Sequence, residues 1–290
     1  MCEYCTKHGE GKKWYLQMKN YSDELLHQEL LHVQKKYAEV NTRTERMFRF
    51  FKIDVMPAIT GMLPKQDQVK DESKSKVQLS EEEIAERRKV LFGQVLPIED
   101  IEQVIDLADS ITRFPCGCRF ITIGKADKRY CFGLGIDKQD LLGKFPDAAS
   151  SLEVLSKKEA KKLFREYDNE GLFHTVWTFV APYIGILCNC DRDCREYKGY
   201  IEKMGAPRFF RAEYVCQVDT EKCKGCRSCM KQCQFGSKFY SSVLSKVYID
   251  PTRCFGCGVC RAACPNDAIR LVPREKVPDA ANIWLNNQSH

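Results

Sequence analysis

The chain has 290 residues, 43% of them hydrophobic and 30% charged, and a formal net charge of +6. Such a composition belongs to a folded globular protein of two or three domains and excludes a disordered or collagen-like chain. No uninterrupted apolar run reaches the roughly 18 residues of a membrane span, and no Lys/Arg block interleaved with aromatics marks a nucleic-acid surface.

The N-terminus opens on Cys2 and Cys5 with His8 three positions on. This spacing suits a metal site completed by another segment, and it equally suits an exposed thiol pair at a chain end. Residues 1–11 lack the apolar core of a secretory signal, so a reducing, cytoplasmic compartment is expected and disulfides are not. Between Tyr21 and Ile53 apolar residues recur in roughly one stripe (Leu25, Leu26, Leu30, Leu31, Val33, Tyr37, Val40, Met47, Phe48, Phe51), predicting a long amphipathic helix that Pro57 and Pro64 stop. Its stripe either packs in the core or docks a partner subunit. A polar linker is expected near 65–79, and Ser80 with Glu83 forms a capping box opening a helix to about Leu91. Residues 1–96 thus read as a helical N-terminal region.

A small α/β middle domain is expected over 97–213. It opens with a helix over 97–111 that presents Ile98, Ile101, Val104, Ile105 and Ala108 on one side. Then comes a cysteine constellation: Cys116 and Cys118 in Pro-Cys-Gly-Cys-Arg, Cys131, Cys188 and Cys190 around Asn189, and Cys194. One or two of these could be small buried hydrophobes. The two C-x-C pairs aim both thiols from a turn, as a metal or cluster ligand set requires. A third metal centre is therefore expected here, with [4Fe-4S] leading and zinc open; spacing does not select four ligands, and Cys194, beyond Asp191-Arg192-Asp193, is the first to be set aside. Between the two halves, Ser156 and Glu159 form a second capping box for a helix that Gly171 ends, followed by a strand over 172–179. This helix-then-strand piece is reminiscent of a winged-helix module, a likeness that by itself makes no DNA binder. The stretch 172–187 reads as buried chain, because His174, Thr175, Thr178, Pro182 and Gly185 interrupt it.

The strongest signal lies further on. Cys223, Cys226, Cys229 and Cys233 return 31 positions later as Cys254, Cys257, Cys260 and Cys264, a doubled C-x2-C-x2-C-x3-C run. A cubane cluster needs four thiolates from four directions; a tight loop supplies three, and the fourth comes from the other run. By this rule Cys223, Cys226, Cys229 and Cys264 hold one [4Fe-4S] cluster, and Cys254, Cys257, Cys260 and Cys233 the other. Zinc would want two separated pairs for each ion, which leaves each run with a surplus thiol. Gly225, Gly256 and Gly258 stand inside the loops, where backbone must approach the sulfides. Strands are expected over 214–218 and 247–250, with a helical turn after each fourth cysteine, and Cys216 is read as a packed core thiol. Each oxidised cluster with its thiolates brings a charge of about −2, so two lower the net charge to about +2 and a third to about zero.

Residues 214–272 resemble a bacterial-type two-[4Fe-4S] ferredoxin domain, the second run closely, through Cys264-Pro265-Asn266-Asp267-Ala268-Ile269. The first run departs from the family at Gln234, where a proline usually fixes the turn. Residues 97–272 resemble larger ferredoxin-like iron-sulfur proteins of anaerobes that carry upstream P-C-x-C-R and C-N-C segments. The resemblance implies an α+β chain ending in a ferredoxin-like domain and a tail over 273–290. It also implies transfer of single electrons through two [4Fe-4S] clusters to or from a redox enzyme or flavoprotein. No nucleotide-binding glycine motif follows a strand, so a flavin or nucleotide would sit on that partner. The alternative is an iron-sulfur enzyme whose middle metal centre is fed by the ferredoxin domain; a cluster-controlled DNA-binding sensor ranks below both. The five histidines offer no catalytic pairing with a cysteine or serine, so no catalytic residue is assigned.

Overall fold

In a computed structural model, the residues described are 13–26, 28, 92–124, 130–136, 152–194, 197–198 and 209–284. Cys2, Cys5, His8, the expected long helix beyond residue 28, the linker near 65–79 and the Ser80 capping box lie outside them.

The middle of the chain builds a sheet from seven described strands: β1 (Gly93–Leu96), β2 (Ile111–Phe114), β3 (Cys131–Leu134), β4 (Glu153–Leu155), β5 (Phe173–Val180), β6 (Tyr183–Cys190) and β7 (Phe209–Phe210). Their order is β4-β2-β3-β6-β5-β1-β7. Every pairing is antiparallel except that of β1 with β7. The chain is α+β as expected, but the middle domain, read as a small α/β unit, has a mainly antiparallel sheet. β5 and β6 form a tight hairpin, and a short connection allows only antiparallel pairing, where parallel strands need a long crossover. This hairpin, which includes the strand of the helix-then-strand piece, lies in the centre of the sheet, flanked by β3 and β1.

Alternation of side chains sorts the sheet into two faces. On one face Phe132, Leu134, Val176 and Leu187 meet α1 (Ile98–Leu107) through Ile101, Val104 and Ile105, and α3 (Lys157–Glu170) through Ala160, Phe164 and Tyr167. Each such fully buried side chain contributes about 1.5–3 kcal/mol. The opposite face presents Val95, Cys131, Phe173, Trp177, Ile186, Cys188 and Cys190 to the C-terminal unit. A short helix, α2 (Gly117–Ile123), leads away from β2. The expected helix over 97–111 is shorter than its apolar pattern: Ala108 turns extended, and Ile111 is taken by β2. α3 has the expected ends, with Ser156 and Glu159 capping reciprocally and Gly171 at φ 87°.

The C-terminal unit consists of two antiparallel ribbons, β8 (Tyr214–Val218) with β11 (Ile269–Pro273) and β9 (Lys238–Ser241) with β10 (Lys246–Ile249). The helical turn α4 (Ser228–Gln232) precedes the fourth cysteine of its run, whereas the sequence placed such a turn after it. Three residues between Cys229 and Cys233 already make nearly one turn. Residues 14–21 form two 3-10 turns that fasten the sheet to α1: Trp14 Nε1 donates to Gln94 Oε1 at 2.6 Å and Tyr15 Oη to Asp100 Oδ2 at 2.6 Å.

Candidate metal centres

In the C-terminal unit each cysteine loop folds back on a strand. A Cβ at Gly225 (φ 67°) would lie 2.2 Å from the Ser245 carbonyl oxygen, and one at Gly256 (φ 75°) 2.0 Å from that of Tyr214. Both positions therefore require glycine twice over, for the left-handed backbone and for the close approach. The loops carry Cys223, Cys226 and Cys229 to one apolar cavity, where Cys264 from the other run joins them. Cys257, in turn, lies within electrostatic reach of Cys254, Cys260 and Cys233.

Backbone amides already aim at these sulfurs. Ser237 N donates to Cys233 Sγ at 3.4 Å, Ala268 N to Cys264 Sγ at 3.3 Å, and Cys216 N to Cys254 Sγ at 3.4 Å. The first two are the same i+4 contact in the two runs. Cys216 is buried as expected, and its Sγ is 3.7 Å from that of Cys260. Two fully buried arginines hold the second loop: Arg274 donates to the carbonyls of Ala212, Tyr214 and Cys254 at 2.7, 2.9 and 3.0 Å, and Arg211 to that of Thr252. Desolvation, with Arg211 nearby, pushes the Arg274 pKa down to about 10. Lys238 is buried as well, and its side chain reaches the Cys260 thiol. Burial opposes its charge, but Cys260, Cys216, Cys229 and Cys233 outweigh that and hold its pKa above the ordinary lysine value. Eight thiols in two groups, glycines at the two closest backbone approaches, amides aimed at sulfur and a buried cation among the thiols together fit anionic iron-sulfur clusters. Among the described residues no three His, Cys, Asp or Glu side chains converge on a single metal ion.

The middle cysteines gather on the sheet face that meets this unit. Cys131 on β3 is in register with Cys188 on β6, their Sγ atoms 3.7 Å apart. Cys190 is two residues further along the same strand face. Cys116 hydrogen-bonds with Cys131, and buried Cys194 acts on Cys116, Cys131 and Cys190. Cys194, the first to be set aside on the sequence, thus lies within the group, while Cys118 is half-buried on α2. Hydrogen bonds from Cys116 and then Cys188 hold Cys131 well below the ordinary thiol range. Arg119 ties the two C-x-C segments together. Its guanidinium donates to Asn189 O at 3.0 Å, pairs with Asp191 at 2.8 Å, lies 3.6 Å from Cys116 Sγ and stacks 4.3 Å from the Tyr130 ring centroid. Asn189 faces the other way, its Oδ1 2.6 Å from His174 Nδ1.

Sequence reasoning did not single out Arg119, Arg211, Lys238 and Arg274 as functional, because a cation next to thiolates has no spacing signature. It read Gln234 as a weak point, and the structure gives that residue a contact. Gln234 Nε2 donates to Gly171 O at 3.0 Å, Gln232 Nε2 to Asn169 O at 3.1 Å and Tyr197 Oη to Gln234 O at 2.6 Å. Through these the C-terminal unit grips the end of α3.

Two stretches match family models described as 4Fe-4S binding domains, residues 220–236 and 247–270. Over 66 residues the chain is 39% identical to an archaeal-type glutamate synthase [NADPH] of Thermotoga maritima, covering 23% of this chain and 13% of the relative. It is 34% identical over 58 residues to an indolepyruvate oxidoreductase subunit of Pyrococcus abyssi, covering 20% and 9%. Against one subunit of an ion-translocating oxidoreductase complex of Methanosarcina acetivorans it is 40% identical over 57 residues, covering 20% of each chain. The chain thus spans no more than a fifth of the length of these relatives. Among the described residues no helix is long and apolar enough to cross a membrane. The C-terminal region thus carries two stretches of the 4Fe-4S binding, ferredoxin type.

Proposed function

We propose that this chain is the electron-transfer component of a larger oxidoreductase system, passing single electrons to or from a redox enzyme or flavoprotein. Cys223, Cys226, Cys229 and Cys264 hold one [4Fe-4S] cluster, and Cys254, Cys257, Cys260 and Cys233 a second. A third metal centre, iron-sulfur or zinc, belongs to the cysteines of the middle sheet. The observation that carries this reading is the cavity in which Cys264 joins the three thiols of the other run, since crossover ligation is the mark of a two-cluster electron carrier. When bound, the clusters supply one-electron chemistry; the chain's own residues bind them, exclude water and compensate their charge. The relatives support the partner class, because in each the matched stretch is a small part of an oxidoreductase or of an oxidoreductase subunit.

Exchange with the partner takes place beside Cys226, the exposed ligand of the first group. Exposed Lys222, Lys224, Arg227 and Lys231 surround it, and the β9–β10 tip presents Val243 and Leu244, 90% and 58% exposed. Cations around an apolar tip suit an acidic redox partner. Anaerobically prepared chain is expected to hold about 8 Fe in the ferredoxin unit and to be reduced reversibly without turning over a substrate. Cys233→Ser should alter the EPR signal of the cluster of Cys254, Cys257 and Cys260 and leave the other. Substrate turnover by the isolated chain would sink the carrier reading in favour of an iron-sulfur enzyme.

A further inference from the structure

We propose that the middle cysteines hold a third iron-sulfur cluster, ligated by Cys116, Cys131, Cys190 and Cys194, which extends the electron path beyond the cluster of Cys254, Cys257, Cys260 and Cys233. The proposal rests on the carrier reading above and adds to it a site, its ligands and its role.

The ligand choice follows from direction. A cubane takes one thiolate at each of four iron corners, so its ligands must approach from separate sides. Cys116 comes from the turn after β2, Cys131 from β3, Cys190 from the end of β6 and Cys194 from the turn beyond it. All four are buried, at 3%, 7%, 5% and 2% exposure. Cys188, register-paired with Cys131, and Cys118 are both less buried than these four. Arg119 supplies buried positive charge 3.6 Å from the Cys116 sulfur, as an anionic cluster in an apolar setting requires.

Position supplies the role. Cys116, Cys131, Cys190 and Cys194 belong to the same apolar group as Cys233 and Cys257 of the ferredoxin unit. Phe173 pairs with Cys190 across the hairpin, and its ring is 4.9 Å from that of Phe235, two residues after Cys233. Phe235 stacks on Phe255, next to Cys254, with 3.9 Å between centroids. The interface between the two groups of thiols is thus packed with aromatic rings, and Arg192 bridges it by donating to Cys233 O at 3.2 Å. A redox-inert zinc ion would have no use for that contact, whereas a cluster in electronic reach of its neighbour would.

The test uses the full chain, reconstituted anaerobically with iron and sulfide in the presence of zinc, with iron and zinc counted and reduced EPR spectra recorded. About 12 Fe and no zinc are expected, with an additional EPR signal coupled to those of the ferredoxin unit. The double variant Cys116→Ser/Cys190→Ser should retain about 8 Fe and the ferredoxin signals, which also reports that it has folded, while Cys188→Ser should keep all 12 or so. Finding about 8 Fe with one zinc, or about 8 Fe with no other metal, in the unmodified chain overturns the third cluster and leaves the carrier reading standing. Loss of about 4 Fe in Cys188→Ser overturns the ligand set. A reconstituted chain without clusters in the ferredoxin unit overturns the carrier reading itself.

Discussion

Lys238 occupies in the first run the place that Ile269 holds in the second, five positions after the fourth cysteine, and both residues start a strand. The isoleucine there is an ordinary core residue. The lysine puts an ammonium group, 7% exposed, among thiols from both proposed clusters. A fixed positive charge stabilises the reduced, more negative state of a cluster. At an effective dielectric near 20 and a separation of a few Å the interaction is about 3 kcal/mol, or on the order of 100 mV for one electron. Lys238→Met is therefore expected to lower the midpoint potential of at least one cluster by tens of millivolts or more, with iron content unchanged, as measured by EPR-monitored titration. Unchanged potentials would show that the ammonium is screened by something other than the clusters.

At the scale of elements, the end of α3 joins the two halves. Gly171 closes that helix in the left-handed region, its carbonyl accepts from Gln234, and a Cβ on it would lie 1.9 Å from Gln232 Oε1. Gly171→Ala thus meets backbone strain and displaces a docking side chain. Each effect costs about 1 kcal/mol, so a fall in Tm of several degrees is expected by calorimetry. Gln234→Ala should cost only the one hydrogen bond, about 1 kcal/mol. The capping box and the terminal glycine of α3 were legible in the sequence because capping is local chemistry. The helix over 97–111 was overextended, since its apolar period runs on into residues that β2 recruits, and only the sheet decides that competition.

Across the whole molecule two kinds of core meet. The group behind α1 and α3 is built of Phe132, Phe164, Leu134, Val176 and similar large side chains. The ferredoxin unit's own core pairs small aliphatics such as Val215, Val247 and Ala268 with Cys216, Cys223, Cys229, Cys254 and Cys260. A unit this small and this poor in large apolar side chains depends on its metal for folding energy. Anaerobic chelation of iron is expected to release the amides of β8 to β11 to rapid exchange while those of β5 and β6 stay protected, read by hydrogen-exchange mass spectrometry. Equal protection before and after chelation would contradict this.

The two cysteine runs were legible from spacing alone, because a C-x2-C-x2-C loop is short enough for sequence separation to dictate geometry. The crossover partners proposed, Cys264 and Cys233, follow from the repetition of the run, and Cys264 lines the cavity of Cys223, Cys226 and Cys229. Which middle cysteines meet was not: Cys116, Cys131, Cys190 and Cys194 lie up to 78 positions apart and come together only because β2, β3 and β6 are neighbours in one sheet. Strand order is a long-range choice, set by which faces bury best, and it leaves no local trace. The same holds for Arg119, Arg274 and Lys238, whose charges acquire meaning only once folding has surrounded them with sulfur and carbonyl oxygen at low dielectric.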